Sequence, residues 1–175
     1  MTKYVALLRG INVGGKNLMK MHALREAFEA AGLKKVRTFQ QAGNVVFESN
    51  LKKPLAKMEN LLNTDPRAVV FSVDELSQIV KQDPFKQIHE GDVMLCVVFL
   101  FQEPATLPKL PVKSTTEKLE LIRVKDRAAF VVARRKKTGW FGFPNNFVEK
   151  QLGVTATTRQ WSTVKKLVDF AERLF

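Results

Sequence analysis

Strand and helix signals recur in the same order twice along this 175-residue chain. In the first half, the apolar run Val5-Ala-Leu-Leu8 reads as a central strand. Leu18, Met21, Leu24, Phe28 and Ala31 follow at spacings of three and four, the face of a helix, and Gly32 stands where a cap glycine belongs. Residues 36–40 and 45–47 flank Ala42-Gly43-Asn44 as a hairpin. Leu55, Met58, Leu61 and Leu62 make a second helix closed by Asp65-Pro66, and residues 69–73 a further strand. Asp74 is a candidate N-cap for a short helix after it. The second half opens on the apolar run 93–101. A short helix over 102–110 is weakened by Pro104, Pro108 and Pro111. Then come strands at 118–124 and 128–133, a helix at 144–152 with Gly153 after it, and a β-branched stretch at 154–158. Trp161, Val164, Leu167, Val168, Ala171 and Leu174 close the chain as an amphipathic helix.

The pattern predicts an α+β fold of two ferredoxin-like β-α-β-β-α-β halves packed together, residues 1–86 and 87–175. The extra helices fall at about 74–82 and 161–174. The first and third strands of each half are expected to be parallel neighbours. On that expectation Ser49, Asn50 and Lys52 lie beside Arg9 and Lys16, and Asn44 lies at the far end of the sheet.

Composition excludes several classes. The longest apolar run, residues 93–101, has nine residues, against about 20 for a bilayer span. The run at residues 4–8 is too short for the core of a signal peptide. One cysteine, Cys96, forbids an internal disulfide, and with only His22 and His89 beside it no metal constellation is legible. No cofactor motif survives inspection. The expectation is a soluble cytoplasmic protein away from the membrane. Charge is the global oddity: 29 Lys and Arg against 17 Asp and Glu give a net charge of +12. It is spread evenly, with 14 basic and 8 acidic residues in 1–86 and 15 and 9 in 87–175. Such a surface suits a polyanion such as RNA, or simply keeps the protein dissolved.

Gly10-Ile-Asn-Val-Gly-Gly-Lys16 matches the phosphate-loop pattern literally and lies between a strand and a helix. Asn17 stands where the magnesium-binding hydroxyl is required, and a hairpin follows where such enzymes need a parallel crossover. A nucleotide hydrolase is therefore excluded. A simpler anion site remains: Arg9, Asn12, Gly14, Gly15, Lys16 and Asn17 crowd a loop before a helix N-terminus, where backbone N–H groups can face an anion. Gly43-Asn44 reads first as turn chemistry.

Arg134-Arg135-Lys136-Lys137 followed by Trp140, Phe141 and Phe143 is the second candidate. Cations beside aromatic rings suit a single-stranded nucleic acid, with phosphates on the cations and bases on the rings. Arg159 and Trp161 form a secondary candidate, a cation and an aromatic before the last helix.

Four of these segments carry a resemblance. Ala6-Leu-Leu-Arg-Gly-Ile-Asn-Val-Gly-Gly-Lys-Asn17, Met21 with Leu24-Arg25, Ala42-Gly-Asn-Val-Val-Phe47 and Thr157-Thr-Arg-Gln-Trp-Ser-Thr163 resemble a bacterial domain-of-unknown-function family that opens with Leu-Arg-Gly-Ile-Asn-Val-Gly-Gly. The resemblance spans the chain and implies two ferredoxin-like parts. It implies no activity. Ala42 stands where the family has Ser, and Gln160 and Ser162 where it has Asn. Three functions follow as expectations. The first is a binding protein for a phosphate-bearing polyanion, foremost RNA. The second is a small enzyme acting on a phosphorylated or nucleotide-like metabolite at the 9–17 loop. The third is a protein-interaction module without chemistry.

Overall fold

The structure, a computed structural model, describes residues 1–11, 15, 18–51 and 68–174. Strand β1 (Thr2–Leu8) is followed by helix α1 (Met21–Ala30), strands β2 (Lys34–Phe39), β3 (Asn44–Ser49) and β4 (Ala68–Ser72), and helix α2 (Val73–Gln82). Next come β5 (Val93–Leu100), β6 (Val112–Ser114), β7 (Leu119–Lys125) and β8 (Ala128–Arg134). Helix α3 (Pro144–Leu152), strand β9 (Ala156–Gln160) and helix α4 (Trp161–Arg173) complete the chain. The fold is α+β, and the extra helices stand where the sequence places them, as α2 and α4. Two compact units divide the chain: Met1–Gln78 with Lys166–Phe175, and Ile79–Lys165. The helix expected over Leu55–Leu62 lies outside the described residues.

The first sheet has the order β2-β3-β1-β4. β1 is central because its residues are apolar on both faces, and Val5, Ala6 and Leu7 are fully buried. One face carries Tyr4, Ala6 and Leu8 against Val45, Phe47 and Val70, covered by Leu24 and Phe28 of α1. Tyr4 stacks on Phe47 with ring centroids 5.7 Å apart. Leu18, expected on the helix face, precedes α1 and is 78% exposed. Gly32 follows the helix at φ +85°, the left-handed turn that glycine adopts without strain. On the other face Phe39 meets Phe170 of α4 at 5.0 Å.

β1 and β3 are neighbours, but antiparallel, with Thr2 opposite Ser49 and Leu7 opposite Asn44. The expected parallel pairing is wrong for a reason of direction. The α1 crossover leaves β2 running the same way as β1, and the β2–β3 hairpin then reverses the chain. The ends are exchanged in consequence. Asn44 sits at the Leu8–Gly10 end of β1, while Ser49 and Asn50 sit at the Thr2 end. Lys52 and Lys16 lie outside the described residues.

The second sheet has the order β6-β7-β8-β5-β9. Without β6, its four strands repeat the order of the first sheet. The two-residue turn Asp126-Arg127, with φ +54° and +57°, joins β7 to β8. Val98, Leu100, Leu121, Ala129 and Val131 pack on Val148 and Leu152 of α3. On the other face Phe85 meets Phe130 at 5.8 Å and Trp161 at 5.5 Å. The short helix expected over 102–110 is absent. Bends and irregular backbone occupy the stretch, since proline lacks the N–H that a helix interior needs, and β6 extends the sheet. The N-cap of α2 is Ser72, not Asp74. Ser72 Oγ accepts from Glu75 N–H at 3.1 Å, and the Glu75 carboxylate accepts from Ser72 N–H at 2.6 Å, a reciprocal capping box.

Candidate binding surface

The glycine loop begins where β1 ends. Arg9 is half-buried there, and Gly10 and Gly15 take φ +75° and +74°. Asn12, Gly14, Lys16 and Asn17 lie outside the described residues. Beneath the loop, Leu8 N–H donates to Gly43 O at 2.8 Å. A Cβ on Gly43 would stand 3.0 Å from Ile11 Cδ1 and from Leu8 Cβ. Asn44 is fully buried and donates from Nδ2 to Phe39 O at 3.2 Å. Its amide secures the hairpin, the turn role its sequence position suggests.

The basic stretch begins on the last residue of β8, Arg134. Arg134 grips Glu90 with two bonds of 2.8 and 2.6 Å and reaches Glu120 at 3.1 Å. Arg135 holds Asp92 at 2.8 Å, donates to Gly139 O at 2.7 Å, and lies 4.5 Å over the Phe141 ring. Lys136 Nζ meets Glu117 at 3.1 Å. These guanidinium bonds hold the Glu90 and Asp92 carboxyls below their usual range and raise both arginines in turn. Three of the four cations therefore already have carboxylate partners. Lys137 is exposed and makes no ion pair among the described residues.

The same bonds shape the loop. Lys136 N–H donates to Trp140 O at 2.8 Å, Gly139 N–H to Lys136 O at 2.9 Å, and Arg135 bridges Phe141 as an isolated antiparallel pair. Gly139 supplies the φ of +86° that the tight turn needs. Out of this braced loop Trp140 projects at 77% exposure and Phe143 at 62%.

Arg159 is buried in β9, donating to Thr157 Oγ1 and Thr158 O, both at 2.9 Å. Burial lowers its pKa to about 10. Thr158 Oγ1 donates to Asn145 Oδ1 of α3 at 2.8 Å. Trp161 is buried edge-on to Phe85, with Lys165 Nζ 5.8 Å over its ring. Beside it opens a cavity of about 520 Å³, lined by Val93, Met94, Leu95, Phe141, Trp161 and Lys165 among others. Cys96 is buried in β5, which pushes its thiol up to about 12. Among the described residues no group of three or more His, Cys, Asp or Glu is placed to hold a metal ion. Among them, too, no helix is long and apolar enough to cross a membrane.

The model of a family described as proteins of unknown function, DUF1697, matches residues 1–130. The chain belongs to that family. No curated protein matches its sequence. Among solved structures it is similar to a conserved bacterial protein, SP0830 from Streptococcus pneumoniae. The two are 21% identical with a TM-score of 0.66, over 97% of this chain and 98% of the other. That likeness shows a shared fold.

In this DUF1697 chain the structure joins two features that the sequence keeps apart. The 134–140 loop and the Trp161 helix start meet at one cavity through Phe141. Val93, Met94 and Leu95 belong to the same cavity, although their apolar run reads only as core. The available signal was a difference of length: β5 has eight residues and β9 only five, so part of β5 is left without a β9 partner.

Proposed function

We propose that the protein is an interaction module that binds a protein partner through the 136–143 loop and the cavity beside Phe141. One observation carries this reading: Trp140 and Phe143 stand in solvent on a loop fixed by ion pairs. Burying a large exposed aromatic is a strong driving force in association, and tryptophan is enriched among residues that dominate interface energies. A braced loop loses little further freedom when it is covered. Commitment of Arg134, Arg135 and Lys136 to carboxylates supports protein over phosphate as the ligand of this surface. We place the protein in the cytoplasm, in keeping with a single buried cysteine.

A second reading, single-stranded RNA, is favoured by the +12 charge and by the stacking surface of Trp140. One experiment separates the two. A photoreactive benzoylphenylalanine replaces Trp140 in growing cells, and another replaces Leu107 as an exposed control at 53%. The expected result is discrete, nuclease-resistant protein adducts from position 140 alone. Nuclease-sensitive adducts would instead favour RNA. No adduct, or the same adducts from both positions, would overturn the module.

A further inference from the structure

We infer that the open edge of β5 receives an extended, acidic segment of a protein partner as an added strand. This rests on the interaction-module reading and names the chemistry of its ligand. β5 pairs with β8 from Val93 to Phe99, but its pairing with β9 stops at Cys96 opposite Gln160. There the chain turns into α4, so Val93, Met94 and Leu95 have a strand on one side only. The direction of their backbone groups follows from their neighbours. Leu100 N–H donates to Arg127 O on the β8 side, and Phe101 N–H to Thr155 O on the β9 side. Alternation along an antiparallel strand then aims the N–H groups of Val93 and Leu95 at the open edge. A strand edge of this kind is a template for an incoming chain.

The cavity supplies the room and the side-chain environment. Its volume of about 520 Å³ lies along this edge, and the three β5 residues are half-buried. Successive side chains of an added strand would point to opposite faces. One face offers Met94 and Phe141, which pack on the same core. The other offers Val93, Leu95 and Trp161, with Ser162 and Lys165 at the first turn of α4. The first face takes apolar residues, and the second takes carboxylates within reach of Lys165. Charge agrees with this choice, because residues 79–165 hold 15 Lys and Arg against 8 Asp and Glu. The ligand is thus a segment alternating apolar and acidic residues.

The test is fluorescence anisotropy with the full chain and a fluorescein-labelled Val-Glu-Val-Glu-Val-Glu peptide. Three comparators accompany it: the peptide N-methylated at alternate residues, the same peptide with Lys for Glu, and a ten-nucleotide oligouridylate. Saturable binding of the first peptide is expected, weakened at least tenfold by N-methylation, by Lys for Glu, and by Lys165→Glu. Leu95→Pro removes an N–H that the β8 ladder does not use. It should weaken binding comparably while circular dichroism stays unchanged. Equal affinity for the N-methylated peptide, no saturable binding, or binding of the oligouridylate alone would overturn the inference. Leu107→Ala, at the exposed control position away from the cavity, should leave the peptide affinity unchanged. A failed peptide assay beside nuclease-resistant adducts at position 140 would therefore sink the added strand and leave the module standing.

Discussion

Gly142 rests against the backbone of Glu117 with no room for a Cβ between them. Glu117 also holds Lys136, so one residue of the β6–β7 turn fixes the 136–143 loop at both of its ends. Gly142→Ala forces that turn and the loop apart. It should destabilise the protein by about 1–3 kcal/mol, the usual range for overpacking. Urea unfolding measures the loss, and Trp140 fluorescence should report a mobile loop before the global transition.

The Arg134 and Arg135 pairs predict acid sensitivity. Glu90 and Asp92 have depressed folded-state pKa values, so the stability they contribute is present above their unfolded values of 4.5 and 3.8. It is lost as pH falls through the lower folded values. The urea midpoint should therefore decline from about pH 5 downward. In the double variant Arg134→Gln, Arg135→Gln, that decline should be shallower. An identical slope in both proteins would remove these pairs from the account.

Arg134→Ala also strands Glu120, whose side chain is 13% exposed and whose remaining cation, Lys113, is 3.8 Å away. A partly buried carboxylate that loses a charged hydrogen bond costs about 1.5–3 kcal/mol. Trp140→Ala, by contrast, removes an exposed ring and should leave the melting temperature unchanged within error. Calorimetry on the two variants tests both statements.

Cys96 should be inert in the folded protein. With its thiol pushed up to about 12 by burial, the thiolate fraction at pH 8 is about one in ten thousand. Ellman's reagent should find no reactive thiol in native buffer and one per chain in denaturing urea. Reaction at comparable rates in both would mean that β5 opens readily.

Gly43→Ala probes the floor of the glycine loop. At φ +70° an L-residue is strained, and its Cβ meets Ile11 and Leu8 at 3.0 Å. A loss of about 1–3 kcal/mol is expected from strain and crowding together. Chemical denaturation checks it, and a stability equal to the parent would show that the hairpin moves freely from under the loop.

The legible parts of the fold were those encoded locally. Leu24 and Phe28 mark α1, Pro144 and Gly153 bound α3, and Asp126-Arg127 closes the β7–β8 hairpin. Pairings between distant strands were legible as to neighbour and not as to direction. The orientation of β3 against β1 depends on counting reversals through α1 and the hairpin, which no residue pair announces. Basic residues 134–137 were legible as a cluster, but Glu90, Asp92, Glu117 and Glu120 arrive from elsewhere in the chain to neutralise three of them. Composition counts charge without its partners. The open length of β5 was hidden for the same reason, since it is set by where β9 gives way to Trp161.

The braced loop has a kinetic consequence. Its ion pairs and turn bonds are in place before any partner arrives, so encounter need not wait for the loop to fold. Ordering then falls on the partner, whose segment must straighten as it docks. Association should accordingly be a single phase, linear in partner concentration. Its rate would be set by how often the partner is already extended, and the lifetime of the complex by how firmly Trp140 is covered.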